Sequence, residues 1–281
     1  MDFFHILILA LVQALTEFLP VSSSAHLVLA SEMFGWRYQG LSFDLALHFG
    51  TLIAILAYFH RDIGELVRET LAWRPGRPLN PTQRLALGIT LATIPAGIAG
   101  LLLGDAGAMV LRHPVVIALN LIVFGVLLAA AEAWSRRHAR RPLMAEDASA
   151  GEALGRLSLG RAFAIGCAQT LALMPGTSRS GATITAGMFL GLDRAQAARY
   201  SFLLSTPIMV LATAYGVWEA RSEPLASLGD MALGTLISAV AGWFVIRFFL
   251  GVIRRIGTAP FVAYRILLGL AVLGWYLLLR A

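Results

Sequence analysis

Two stretches of this 281-residue chain gather side chains that do chemistry, in surroundings where such groups are scarce. The first, QALTEFLPVSSSAH, runs from Gln13 to His26, and the second, PGTSRSGAT, from Pro175 to Thr183. In the first, Gln13 and Glu17 are four apart and share a helical face. Ser22, Ser23 and Ser24 follow Pro20 at the start of the next helical piece, with His26 three residues beyond Ser23. A carboxylate in an apolar segment either neutralises or finds a cation, and oxygen ligands from Glu17 and Gln13 favour Mg²⁺ or Ca²⁺ over zinc. In the second stretch, Pro175-Gly176 leads into a helix whose first turn offers backbone N–H groups and a positive dipole end, beside the hydroxyls of Thr177, Ser178 and Ser180. The Arg179 guanidinium can grip a phosphate with two parallel hydrogen bonds. A hydroxyl to attack, an imidazole to move a proton, a carboxylate to hold a divalent cation and a cradle for phosphoryl oxygens are the parts of a phosphoryl-transfer site. Each residue also has a plainer reading. Arg179 and Glu17 can form a structural ion pair, Ser22 can cap a helix, Gln13 can bridge helices, and His26 can be a satisfied interior histidine.

The elements that position these groups must lie in a membrane. Hydrophobic residues make up 58% of the chain and charged residues 14%, with a mean hydropathy of +0.75, outside the range of soluble domains. The net charge of +6 comes from arginines in short loops between apolar runs and reads as a topology signal, not as a nucleic-acid surface. The lone cysteine, Cys167, excludes an intrachain disulfide and reads as a small buried hydrophobe. The first twenty residues lack a basic start and carry Gln13, Thr16 and Glu17, so they are expected to belong to the mature fold.

Six apolar runs are long enough to span the bilayer as helices, near 43–59, 85–103, 114–133, 198–219, 229–250 and 261–279. Four shorter pieces, 3–19, 22–34, 161–174 and 178–191, form two pairs broken at Pro20 and Pro175 and read as re-entrant half-helices. Loops 60–84 and 134–161 carry five and six arginines, against one each in 104–113 and 220–228. The rich loops are expected in the cytoplasm, with both chain ends outside. On that topology the two broken pairs enter from opposite faces. The expectation is an all-α integral membrane protein, one domain over 1–281, with halves 1–143 and 156–281 related as an inverted-topology repeat and joined by the linker 144–155.

At these residues the sequence resembles the undecaprenyl-diphosphate phosphatase family, bacterial inner-membrane enzymes of the bacitracin-resistance type. The family's (Glu or Gln)-x-x-x-Glu stretch with its proline and serine-rich turn ending in His is matched by Gln13, Glu17, Pro20, Ser22 to Ser24 and His26. Its Pro-Gly-x-Ser-Arg-Ser-x-x-Thr stretch is matched from Pro175 to Thr183. The resemblance implies hydrolysis of undecaprenyl diphosphate to the monophosphate and inorganic phosphate, for recycling of the cell-wall lipid carrier and bacitracin resistance. It also implies a site facing the periplasm, stimulation by Mg²⁺ or Ca²⁺, and a homodimer. Residue by residue, it implies that Glu17 and Gln13 hold the cation, Ser23 attacks, His26 moves the proton and Arg179 clamps phosphate. Ser22, Ser24, Gly176, Thr177, Ser178, Ser180 and Thr183 would bind phosphate in support. Gln13 stands where many members carry a glutamate, and the triple serine replaces a Ser-Ser-Thr, which leaves the attacking hydroxyl open. Acid-phosphatase-like lipid phosphatases are excluded by spacing, since Thr185 and Phe189 stand where their histidine and aspartate follow Ser178-Arg179. The reading from another class is a transporter or lipid flippase, because inverted repeats with broken helices are common among transporters.

Overall fold

The computed structural model describes residues 2–27, 40–111, 113–138, 149–222 and 226–278, with side chains omitted over 104–111. All regular structure among these residues is helical. In chain order the helices are α1 (Phe3–Phe18), α2 (described over 23–27), α3 (Leu41–Tyr58), α4 (His60–Leu71), α5 (Pro81–Leu111) and α6 (Pro114–His138). They continue with α7 (Ala150–Leu154), α8 (Leu159–Thr170), α9 (Arg179–Phe189), α10 (Arg194–Glu219), α11 (Leu228–Arg255) and α12 (Ala259–Leu278).

Six of them, α3, α5, α6, α10, α11 and α12, have the length and apolar character to cross a membrane. They coincide with the six expected runs, most extended by a few residues into their arginine-bearing ends. Their outward faces carry large apolar side chains such as Leu102, Leu236, Phe244, Phe248 and Leu267, which only a lipid environment would solvate favourably. With 16 and 12 residues, α1 and α8 fall short of a span. The second half of the linker forms α7, capped by Ser149 and Glu152, and 144–148 lies outside the described residues, as does 28–34 of the first broken pair.

Packing crosses between the two halves. The α1 helix rests on α11, where the Ser238 hydroxyl donates to the Ala10 carbonyl, while α8 rests on α5. Close approach depends on glycine. A Cβ on Gly50 would lie 2.4 Å from the Thr235 carbonyl oxygen of α11, and one on Gly166 would lie 2.2 Å from that of Ala92 in α5, so a larger residue at either place would push helices apart. Behind the breaks, Phe18, Phe59, Phe202, Phe249 and Phe261 meet as edge or tilted pairs in the largest core cluster. Cys167 is a correction: it is exposed, because the α8 face that packs inward carries Ala162, Ile165, Gly166 and Gln169.

The arginine-rich segments collect at one end of the molecule. Asp62 accepts from Arg199 and from the Ala150 amide. Glu132 accepts from Arg136 and Arg194, and Arg194 also donates to the Arg254 carbonyl. These contacts place loops 60–84 and 134–161 and the Arg254-Arg255 end on the same side, as the arginine count requires.

Candidate active site at the two helix breaks

The two breaks touch. After α1, the Val21 amide folds back on the Leu19 carbonyl at 2.7 Å, and Ser22 takes a positive φ of 77° before α2 begins. After α8, a short 3-10 turn over Leu171–Leu173 leads to Gly176, at φ 91°, and Ser178, at φ 70°, before α9. Glycine is required at 176: beyond its φ, an added Cβ would lie 2.5 Å from the Ile117 carbonyl oxygen. Ser22 and Ser178 are the non-glycine residues of positive φ among those described, and they occupy matching places. Ser22 Oγ lies 3.2 Å from Ser24 Oγ, and Ser178 Oγ lies 3.1 Å from Ser180 Oγ. One spacing separates Gln13 from Gln169, Ser22 from Ser178 and Ser24 from Ser180. The breaks are tied together where the Gly176 amide donates to Ser22 Oγ at 3.1 Å and Ser180 Oγ donates to the Leu19 carbonyl at 3.0 Å.

Glu17 is the centre of the cluster. Its carboxylate accepts from Arg179 Nη2 at 2.7 Å, Ser23 Oγ at 2.9 Å and Gln13 Nε2 at 3.1 Å, and His48 Nε2 lies 3.9 Å away. The plainer reading of Arg179 therefore holds in part, since it is an ion-pair partner of Glu17 as well as a candidate clamp. Among the described residues its Nη1 is buried and meets no acceptor, and the buried Gln13 Oε1 meets no donor. Beside it, the amides of Ser178, Arg179 and Ser180 meet no acceptor among the described residues, while the Gly181 amide is capped by Ser178 Oγ at 3.1 Å. A helix start with unfilled donors and half of a guanidinium to spare suits an oxyanion.

Three expected contacts differ. His26 does not meet Ser23: its Nδ1 lies 2.7 Å from the Ser22 carbonyl and its Nε2 lies 2.6 Å from the Tyr264 hydroxyl, with the two rings stacked. A carbonyl only accepts, so Nδ1 carries the proton and, in the neutral ring, Nε2 accepts from Tyr264. The base in contact with Ser23 is Glu17. Thr183 is turned away, donating to the Arg179 carbonyl at 2.9 Å and paired with Ser201 Oγ at 2.7 Å. The Gly176 amide and Ser22 hydroxyl bond each other and are buried, so they support the breaks. Thr177 is fully buried, and its hydroxyl meets no partner among the described residues. Ser23 and His26 are half-buried and Ser24 is exposed, within reach of a substrate.

His48, Asn120, Tyr264 and Arg265 were missed as site residues by the sequence reading. Asn120 Nδ2 donates to the Pro175 carbonyl at 2.9 Å. Arg265 had a usable signal, an arginine in the middle of the apolar run FVAYRILLGLAVLGW, since an ionisable residue at membrane depth needs a reason to be there.

As for a metal, the cluster offers one carboxylate and the free Gln13 Oε1, and no group of three His, Cys, Asp or Glu gathers among the described residues. These donors fit Mg²⁺ or Ca²⁺ only if substrate phosphate oxygens complete the shell, the usual arrangement for Mg²⁺ at phosphates.

An all-helical membrane protein whose broken helices meet at a buried carboxylate, a hydroxyl and an arginine has the frame of an intramembrane phosphate enzyme. The model of the bacitracin resistance protein BacA family matches residues 6–271, and the chain belongs to that family. It is 44% identical over 277 residues to an undecaprenyl-diphosphatase of Chromohalobacter salexigens, covering 98% of this chain and 99% of that protein. It is 45% identical over 279 residues to one of Alcanivorax borkumensis, covering 98% and 99%. It is 46% identical over 274 residues to undecaprenyl-diphosphatase 2 of Stutzerimonas stutzeri, covering 97% and 98%.

Arg179→Lys keeps a positive charge near Glu17 but removes the fork. Phosphate release is expected to fall on the order of 10²-fold while the protein remains folded, as judged by its melting in detergent. Near-normal turnover would reduce Arg179 to a counter-ion, and loss of folded protein would make the ion pair structural.

Proposed function

We propose that this protein hydrolyses undecaprenyl diphosphate to undecaprenyl phosphate and inorganic phosphate. The observation that carries the reading is the Ser23 hydroxyl on the Glu17 carboxylate, beside a guanidinium with an unfilled N–H, where two helix breaks meet. Ser23 Oγ attacks the terminal phosphorus while its proton passes to Glu17. The bond to the bridging oxygen breaks, the isoprenyl monophosphate leaves with that oxygen, and a phosphoseryl enzyme remains. Water then attacks the same phosphorus, giving up a proton to His26 Nε2 once the Tyr264 hydroxyl has moved aside, and inorganic phosphate departs as Ser23 Oγ takes back the proton held on Glu17. Arg179, the first amides of α9 and the Ser24 hydroxyl hold the non-bridging oxygens throughout. Glu17 and Gln13 Oε1 would hold a divalent cation, Mg²⁺ or Ca²⁺, whose chemistry would be to offset the charge that builds on the phosphoryl oxygens. The deciding measurement is phosphate release by the purified protein from an isoprenyl diphosphate in detergent. Release that stops on chelation is expected, whereas absence of release from folded protein would overturn the reading, and release indifferent to chelator would remove the cation from it.

The same reading places the protein in the bacterial inner membrane with the site open to the periplasm, and takes it as a homodimer on the family resemblance. Halves 1–143 and 156–281 are read as an inverted repeat, supported by the equal spacing of the paired Gln and Ser residues and by the reciprocal rests of α1 on α11 and α8 on α5. With Cys167 replaced, single cysteines introduced at Ala106 and Asp147 test the orientation. An impermeant reagent applied to intact cells is expected to label position 106 and not 147. The opposite pattern would put the arginine-rich end outside and the site on the wrong face.

A further inference from the structure

Among the described residues, Arg265 of α12 is the largest fully buried side chain, and it has no carboxylate partner. Its acceptors are carbonyls. Nη1 donates to Pro20 at 3.0 Å, and Nη2 to Gly176 at 2.8 Å and Thr177 at 2.9 Å, with longer bonds from Nη2 to Asn120 and from Nε to Leu121. One guanidinium thus holds both helix breaks and the α6 backbone between them. A charge buried on carbonyls alone is costly compared with an ordinary core residue. What it fixes is unusual in the same way, because each break contains a serine at positive φ, a conformation that side chains other than glycine adopt only when their surroundings enforce it.

The orientation matters for the site. In a trans peptide the carbonyl and the following N–H point in opposite directions. With the Thr177 carbonyl held on Arg265, the Ser178 N–H is aimed away from it, as the first of the three unfilled amides at the start of α9. With the Pro20 carbonyl held, the turn through Val21 to Ser22 is fixed, and Ser23, next in the chain, is delivered to Glu17.

We propose that Arg265 is a positioning residue for phosphoryl transfer: by capturing the Pro20, Gly176 and Thr177 carbonyls it holds Ser22 and Ser178 in their positive-φ conformations and so sets Ser23 and the α9 amides against the same phosphate. The proposal rests on the phosphatase reading for its kinetics but not for its geometry. The test compares wild type with Arg265→Lys and Arg265→Gln, in detergent, by two readouts. Hydrogen exchange followed on peptides covering 17–27 and 174–183 is expected to rise in both breaks together in each variant, with α3 and α11 unchanged. Steady-state kinetics on an isoprenyl diphosphate are expected to show kcat lowered on the order of 10²-fold, with KM changed less than about threefold, since misplacing reacting groups by an ångström has that effect. Lys, which keeps charge but reaches fewer carbonyls, should retain more kcat than Gln. Unchanged exchange at the breaks, a kcat near that of wild type, exchange raised throughout the protein, or failure of both variants to fold would each overturn the proposal. Failure of the wild type to release phosphate would overturn the phosphatase reading instead, leaving the exchange result to decide on Arg265.

Discussion

Glu17→Gln is expected to lower phosphate release on the order of 10³-fold, the largest loss from a nearly isosteric change in this protein. The carboxylate meets four groups at once: Gln13, Ser23, Arg179 and His48. An amide of the same shape cannot take the Ser23 proton, and it leaves the Arg179 guanidinium with a neutral partner in a buried place. Breaking a buried pair costs about 3 to 5 kcal/mol when one partner is lost outright, so the Gln variant should melt earlier yet remain folded, whereas Glu17→Ala should not be recovered. Initial rates over a range of Mg²⁺ concentrations separate the two duties of Glu17. If it also holds the cation, the remaining activity loses its metal dependence, and Gln13→Glu, which adds a second carboxylate beside the first, tightens it. Unaltered metal response in both variants would locate the ion elsewhere.

Ser23→Ala addresses the covalent step, and the two mechanisms differ in kind. If Ser23 attacks, the variant has no measurable turnover, and rapid quenching of wild type with substrate labelled in its terminal phosphate leaves label on the peptide containing Ser23. If a water attacks directly, Ser23 is only a hydrogen-bond partner, and its loss costs roughly 1.5 to 3 kcal/mol, about 10- to 200-fold. Residual hydrolysis inside that window, with no trapped label, would falsify the covalent route. The neighbouring serines serve as controls with different expected losses. Ser24 is exposed and is one of several groups on the phosphoryl oxygens, so its alanine variant should turn over more slowly but measurably. Ser22→Ala strands the buried Gly176 amide, so it should lose stability more than chemistry, by about 1 to 3 kcal/mol.

What could be read in the sequence and what could not follows from the range of each interaction. Pro20 and Pro175 mark the breaks because proline ends a helix locally, and Glu17 and Arg179 stand out because an ionisable group in an apolar run has few reasons to be there. Six spans emerge from length and hydropathy alone, and the arginine-rich loops collect at one end as their count requires. The partner of Ser23 did not emerge. Spacing along α2 pointed to His26, but Tyr264, far along the chain on α12, draws that ring away. His48 did not emerge either, because its approach to Glu17 depends on how α3 packs on α1. Arg265 binds carbonyls, which every residue possesses, so its partners leave no trace in side-chain identity. Cys167 was misjudged because hydropathy in a membrane helix does not tell a core face from a lipid face.

The reach of Arg265 also sets an order of events during synthesis. Glu17, Ser23 and the first break are made early, Arg179 and the second break follow, and the side chain that joins them sits near the far end of the chain, on α12. Until α12 has left the ribosome and entered the bilayer, the carbonyls of Pro20, Gly176 and Thr177 lack the guanidinium that holds them, and the nascent chain carries its carboxylate and arginine without the geometry to use them. A membrane hydrolase assembled in this way completes its site only when α12 has arrived, well after its carboxylate and its clamping arginine.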